Sequence, residues 1–205
     1  MADVLILNAS PRAPKSNSKR YAQLFAEQCS LPSETCNVTR NNHLELCEKL
    51  NACSQVLLVF PLYADAIPVT LLNFFKTLEQ HPPKQKPTVS VLINCGFLEP
   101  HQNDVAVDMV KLFCKQNHYP FGSVLQLASG EAILDTPFRW IARRAIGKLA
   151  RAVTKGKHRT IQAAMPIPKS WFIRASTQYW TQYGQRNHVS PEEMRTMSIE
   201  GRELE

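Results

Sequence analysis

The run Val56-Leu-Leu-Val-Phe60 is apolar at every position, with Gln55 before it and Pro61 after it. A half-exposed strand alternates apolar and polar residues, whereas a strand apolar on both faces must be covered on both. Such strands belong to parallel sheets, whose neighbours are joined by crossover helices. The rest of the chain is spaced accordingly. Asp3–Asn8, Thr88–Asn94 and Ser123–Leu127 read as further strands, and a weaker one lies near Thr35–Thr39. Helical spacing of apolar residues predicts helices over Lys19–Cys29, Leu44–Cys53, Val69–Gln80, Asn103–Gln116 and Phe138–Val153. Pro68 stands close to the first turn of the third helix, and the run His81-Pro-Pro-Lys-Gln-Lys-Pro87 ends it. Five strands alternating with helices predict an α/β fold, a doubly wound five-stranded parallel sheet of order 2-1-3-4-5 with helices on both faces.

Beyond Val153 the pattern weakens. Thr154-Lys-Gly-Lys-His158 reads as a break, and Pro166-Ile-Pro168 opens a new segment. Ser170–Tyr183 reads as a helix carrying Trp171, Phe172, Ala175, Tyr179 and Trp180, and Ser190-Pro-Glu-Glu193 has the form of a helix cap. The expected division is a sheet domain over residues 1–155 and a helical extension over 156–205. The extension would pack on that domain or on a partner subunit and end in a mobile tail over Glu200–Glu205.

No run of about 18 apolar residues is present, which excludes a membrane-spanning helix. The first residues have no basic segment of the kind that opens a signal peptide. Cys29, Cys36, Cys47, Cys53, Cys95 and Cys114 occur singly, with no C-x-x-C pair, and the six histidines have no paired spacing. The expectation is a cytoplasmic protein with reduced thiols and no metal site. The formal net charge of +7 is unevenly placed. Residues 136–205 hold 13 Lys and Arg against 5 Asp and Glu, a surplus of +8, while residues 1–135 carry −1. A basic third of this kind fits a solvated helix face, an anionic cofactor, or an acidic surface or nucleic acid. No aromatic-basic RNA-binding motif accompanies it, so nucleic acid is not the expected partner.

Four strand ends carry unusual loops, and in a parallel sheet they share one edge. The first strand runs into Ala-Ser-Pro-Arg-Ala-Pro-Lys-Ser-Asn-Ser, residues 9–18, and then a helix. A helix N-terminus offers unpaired N–H groups and partial positive charge. Ser10, Ser16, Asn17 and Ser18 add donors there, and Arg12, Lys15 and Lys19 add charge. The loop has neither P-loop nor dinucleotide glycine spacing, so a terminal phosphate is the expected ligand. Pro61-Leu-Tyr-Ala-Asp-Ala-Ile-Pro68 forms a mostly apolar ledge suited to a flat ring. Asn94-Cys-Gly-Phe-Leu-Glu99 and Ser129-Gly-Glu131 follow later strands, and Gly96 allows close approach of backbone to a ligand.

Taken together, Ser10-Pro-Arg12 with Asn17-Ser18, Pro61-Leu-Tyr-Ala-Asp65 and Cys95-Gly-Phe-Leu-Glu99 resemble the NAD(P)H-dependent FMN reductase and NAD(P)H:quinone-type branch of the flavodoxin-like flavoproteins. The resemblance spans roughly residues 3–131. It implies noncovalent FMN, with NADPH or NADH as electron donor and a quinone, flavin, azo or nitro compound as small-molecule acceptor. It also implies a homodimer. Carried onto this chain, Ser10, Arg12, Asn17 and Ser18 would hold the FMN phosphate, and Pro61, Leu62, Tyr63 and Ala64 would line the isoalloxazine ring. Asn94, Cys95, Gly96 and Phe97 would meet its pyrimidine side, near Ser129 and Gly130. Asn8-Ala9 stands where many relatives carry a glycine, and Pro14 is additional. No side chain is expected to be catalytic, since the flavin carries the chemistry. The alternative is a flavodoxin-type electron carrier, or a non-catalytic flavin-binding module with a basic partner-binding surface.

Overall fold

The computed structural model describes residues 3–13 and 15–196. The chain folds as two units, Met1–Met165 and Pro166–Glu205. The first unit is built on β1 (Val4–Asn8), β2 (Ser33–Asn37), β3 (Gln55–Pro61), β4 (Thr88–Asn94), β5 (Phe121–Leu127) and β6 (Thr160–Ala163). Its helices are α1 (Asn17–Gln28), α2 (His43–Lys49), α3 (Val69–Gln80), α4 (Asp104–Gln116) and α5 (Arg139–Thr154). All strand pairs are parallel, in the order β2-β1-β3-β4-β5-β6. This is a flavodoxin-like sheet with one further strand at its edge.

The central strands are buried throughout because each face has its own helices. Leu5, Leu7, Val56, Leu58, Phe60, Val91 and Ile93 share one cluster with Leu46 of α2, Leu71 and Phe74 of α3, and Val107 and Val110 of α4. Phe75 of α3 stacks on Phe113 of α4, with ring centroids 4.0 Å apart. The alternate residues Val4, Ile6, Leu57, Val59, Leu92 and Leu125 are also buried. By the two-residue period of a strand they face the other side, where α1 and α5 pack. Gly147 of α5 faces the side-chain amide of Gln28 at the end of α1.

The sheet has six strands, not the expected five, and the first unit runs to Met165, beyond the expected residue 155. Thr160–Ala163 is only four residues long and half polar, so no apolar run announces it. It is held by its ladder to β5, by Gln162 Nε2 donating to Gln126 Oε1 at 2.7 Å, and by Arg159 N–H donating to Ser123 Oγ at 3.1 Å. The helix expected over Leu44–Cys53 is α2 followed by a 3-10 turn, Leu50–Ala52.

In the second unit, α6 spans Lys169–Arg186, enclosing the expected helix. Ser190 and Glu193 form the expected cap. Glu193 N–H donates to Ser190 Oγ at 3.2 Å, and Ser190 N–H donates to Glu193 Oε2 at 2.7 Å. The tail over Glu200–Glu205 lies outside the described residues. No helix among the described residues is long and apolar enough to cross a membrane.

Leu58 lies mid-strand in β3 and is 2% exposed. Leu58→Ala is expected to cost about 2–5 kcal/mol of stability, measured by urea unfolding. A loss well below 1 kcal/mol would show that β3 is not the packed centre of the core.

Candidate functional site

The C-terminal ends of β1, β3, β4 and β5 open on a cleft of about 660 Å³. That is within the roughly 300–1,000 Å³ usual for ligand clefts. Ser10, Arg12, Lys15, Asn17, Lys19, Arg20, Pro61, Leu62, Tyr63, Asn94 and Glu131 are among its lining residues.

The first strand supplies one corner. Asn8 and Ala9 continue straight out of β1. Asn8 Nδ2 donates to Asn37 Oδ1 at 2.9 Å, and Ala9 N–H donates to Val59 O at 2.9 Å. Ala9 is fully buried and keeps a negative φ, so no glycine is needed there. Pro14 lies outside the described residues. Ser16 caps α1 by accepting from Lys19 N–H at 3.2 Å. The N–H groups of Asn17 and Ser18 keep no partner among the described residues. Arg12, Lys15 and Lys19 line the same corner and have no acidic partner among the described residues.

One buried amide ties the corner to the rest. Asn94, at the end of β4, donates from Nδ2 to Ser18 Oγ at 3.0 Å and to Phe60 O at 3.1 Å. Its main-chain carbonyl accepts from Leu62 N–H at 2.7 Å. Ser18 is therefore a buried strut under the corner as well as part of its lining.

The loop after β3 begins as a two-residue hairpin. Tyr63 and Ala66 exchange both main-chain hydrogen bonds at 3.1 Å, and Ala64 and Asp65 between them have φ of 48° and 55°. Two positive φ values define a type I′ turn, a conformation that normally calls for Asn or Gly. The turn leaves Tyr63 58% exposed at the cleft. Ala64 is exposed beside it but does not line the cleft.

The β4 and β5 loops are laced together. Cys95 N–H donates to Leu127 O at 3.0 Å, Ser129 N–H to Phe97 O at 2.6 Å and Gly130 N–H to Cys95 O at 2.7 Å. Three of the main-chain donors expected near a ligand are thus consumed within the protein. The N–H group of Gly96 remains free among the described residues, whereas the Phe97 N–H is directed at the Cys95 thiol. The Phe97 side chain is exposed, and the Ser129 Oγ is buried without a partner among the described residues. Gly130 is sterically required, because a Cβ would lie 2.9 Å from Asn94 Cβ. Tyr21 of α1 donates to Gly130 O at 2.6 Å, and burial pushes its hydroxyl pKa up, so it stays a donor. Burial likewise raises the Cys95 thiol, which accepts from Asn103 Nδ2 at 3.3 Å and is an inert packing group. All six cysteines are free, and no cluster of metal-ligating side chains exists among the described residues.

Arg20, Gln23 and Glu131 line the cleft but were not among the expected binding residues. Asn17 Nδ2 donates to Glu131 O at 3.2 Å. Arg20 makes a two-pronged pair with Asp135, Nη2 to Oδ1 at 2.6 Å and Nη1 to Oδ2 at 2.9 Å. Both contacts join α1 to the turn after β5. They are 114 and 115 residues apart in sequence, so no local pattern could have shown them.

No protein-family model matches the chain, and no curated protein matches it. Solved structures do resemble it, and they share a flavodoxin-like α/β fold. A flavodoxin from Streptococcus pneumoniae aligns with a TM-score of 0.54 at 11% identity, over 74% of this chain and 98% of its own. An NAD(P)H:quinone oxidoreductase from Methanothermobacter marburgensis aligns with a TM-score of 0.55 at 15% identity, over 76% of this chain and 97% of its own. An FMN-dependent NADH-azoreductase from Bacillus anthracis, solved with FMN, aligns with a TM-score of 0.54 at 14% identity, over 74% and 99%.

Asn94→Ala removes two buried hydrogen bonds and is expected to cost about 1–3 kcal/mol in urea unfolding. A neutral variant would show that the loops hold their places without it. For the Arg20–Asp135 pair the pH dependence has a definite sign. The guanidinium holds the Asp135 carboxyl below the usual carboxylate range, mainly by hydrogen bonding. Its stabilisation is therefore complete above the unfolded pKa of about 3.9 and disappears as pH falls through the lower folded value. Both side chains are well exposed, so Asp135→Asn should cost less than about 1 kcal/mol at pH 7. Unfolding curves of parent and variant should converge in strong acid, and a difference that grows on acidification would refute this account.

Proposed function

We propose that the protein is an FMN-dependent NAD(P)H oxidoreductase. The observation that carries this reading is the phosphate corner. Three cations without acidic partners and two free N–H groups at a helix N-terminus converge on one end of the cleft, all among the described residues. That donor set suits a dianionic phosphate monoester. The exposed rings of Tyr63 and Phe97 on neighbouring loops, and the free N–H group of Gly96, suit a flat ring with polar edges. Neighbours in fold whose names include quinone oxidoreductase and FMN-dependent azoreductase support the same reading.

Bound FMN would supply the redox chemistry, accepting hydride from NADPH or NADH and reducing a quinone, flavin, azo or nitro acceptor. The protein binds and orients. Ser10, Arg12, Asn17 and Ser18, with Lys15 and Lys19, hold the phosphate, and Pro61, Leu62 and Tyr63 form the ledge beneath the ring, with Ala64 in the turn that carries Tyr63. Asn94, Cys95, Gly96 and Phe97 bound the pyrimidine side, and Ser129 and Gly130 support them from the next loop. The Gly96 N–H group offers a hydrogen bond where negative charge gathers. No side chain acts as nucleophile or general base. The six free thiols suit a reducing cytoplasm.

Purified protein is expected to take up FMN with flavin absorbance and to oxidise NADPH or NADH when a quinone is supplied. Ser10→Ala with Asn17→Ala should weaken FMN binding about tenfold or more, since each removes a hydrogen bond to a charged group. FMN uptake without nicotinamide oxidation would leave an electron carrier in place of an enzyme. Unchanged FMN affinity in the double variant would displace the phosphate from this corner.

A further inference from the structure

Residues 136–191 contain eleven Lys and Arg and no Asp or Glu. Within the first unit this charge is organised. Trp140, Arg144, Lys148, Arg151 and Lys155 recur at spacings of three or four, so they form one stripe along α5. All five are exposed, while Ala142, Ile146, Leu149 and Val153 bury the opposite face. The helix of 16 residues makes the stripe about 24 Å long. Lys148, Arg151 and Lys155, with Lys157 and Arg159 beside the open edge of β6, line a second cleft of about 760 Å³ that has no acidic residue. None of these cations has an acidic partner among the described residues. The flavin reading makes no use of them.

The second unit adds an independent observation. α6 is 18 residues long, yet Gly184 is its only buried residue. Trp171, Ile173, Tyr179, Trp180 and Tyr183 are all exposed, Trp171 by 68%. A helix of this length is marginal in water unless something covers its apolar side chains. We propose that the occupant is an anionic lipid surface, with the α5 stripe binding headgroups and the aromatic residues of α6 settling at the interface. Clusters of four to eight cations on an amphipathic helix suit acidic headgroups, and Trp and Tyr favour the boundary between headgroup and hydrocarbon.

Charge complementarity separates this occupant from the others. A second copy would bring one acid-free segment of eleven cations against another. A single-stranded nucleic acid needs open ring faces for its bases. Here three of the rings, Tyr179, Trp180 and Tyr183, pack on one another with centroids 5.2, 5.8 and 6.4 Å apart, which leaves fewer open faces for bases.

The test is sedimentation of the full chain with phosphatidylcholine vesicles, with and without phosphatidylglycerol. The chain should pellet only with the acidic vesicles, and tryptophan emission should shift to the blue. Added salt should release it, because screening shortens from about 10 Å at 0.1 M to about 3 Å at 1 M. Removing three cations in K148Q/R151Q/K155Q should lower vesicle partition about a hundredfold, near fivefold for each charge. W171S/W180S should shrink the blue shift to the part that Trp140 on the α5 stripe contributes. The salt titration of the parent chain tests the proposal even where a variant folds poorly. Equal binding to neutral vesicles, no pelleting, or a triple variant that binds like the parent would each overturn it. So would tight binding of a labelled single-stranded oligonucleotide without vesicle binding. A dimer that W171S/W180S dissociates, in a chain that ignores vesicles, would overturn it too and assign α6 to a second copy.

Discussion

The side-chain amide of Asn94 is 4% exposed at the end of β4, and it cannot stay there unpaired. Its two N–H donors go to α1, through Ser18 Oγ, and to β3, through Phe60 O. Its main-chain oxygen takes the first N–H of the loop after β3. One residue thus fixes where α1 begins, where β3 ends and how the next loop leaves the sheet. The direction of the free N–H groups at Asn17 and Ser18 follows from it, and so does the starting point of the turn that exposes Tyr63. Gly130 completes the constraint from the other side, because only a residue without Cβ passes Asn94 at that distance. The candidate site is a consequence of packing one buried polar group.

What could be read along the chain was whatever rests on local pattern. Strands apolar on both faces and helices with one apolar face declare themselves within a few residues, and a parallel sheet then assigns every strand-end loop to one edge. That reasoning sufficed for the order of the first five strands and for loops that do meet at a cleft. β6 escaped it because Thr-Ile-Gln-Ala is short, half polar and stabilised by partners on β5. Arg20 and Glu131 escaped it because their roles exist only after α1 and the turn following β5 are brought together. The chain also gives no sign that the N–H groups of Cys95, Ser129 and Gly130 are spent within the sheet edge and its loops. Such ties depend on loop geometry, which residue type alone does not encode.

The charge distribution bears separately on the corner at the N-terminus of α1. Residues 1–135 carry a net −1, yet Arg12, Lys15, Lys19 and Arg20 all lie within the first 20 residues. Their convergence is therefore local, produced by one loop and the first turn of one helix, and not a by-product of a basic chain. At physiological ionic strength charges beyond about 8 Å are largely screened, so it is this local set that a phosphate would feel. Of these four only Arg20 is neutralised among the described residues, by Asp135, and that pair serves as a clasp between α1 and the β5 loop.

Backbone strain points to the same edge of the sheet. Five residues other than glycine have positive φ among those described: Ala64, Asp65, His118, Ser129 and His188. His118 and His188 have an ordinary explanation. Each directly follows the C-cap of a helix, Asn117 of α4 and Asn187 of α6, where a left-handed residue closes the last turn. The following N–H groups confirm this, Tyr119 bonding back to Cys114 O and Val189 to Gly184 O. With the caps removed, three strained residues remain, and all three lie in loops at the C-terminal edge of the sheet. A left-handed conformation costs a residue with a side chain roughly 1–2 kcal/mol, and glycine at Ala64 would relieve it. A turn that served only to connect β3 to α3 would gain by that replacement. The turns at Ala64, Asp65 and Ser129 thus concentrate this cost on the edge of the sheet where Tyr63 is exposed and the Cys95–Phe97 loop is anchored.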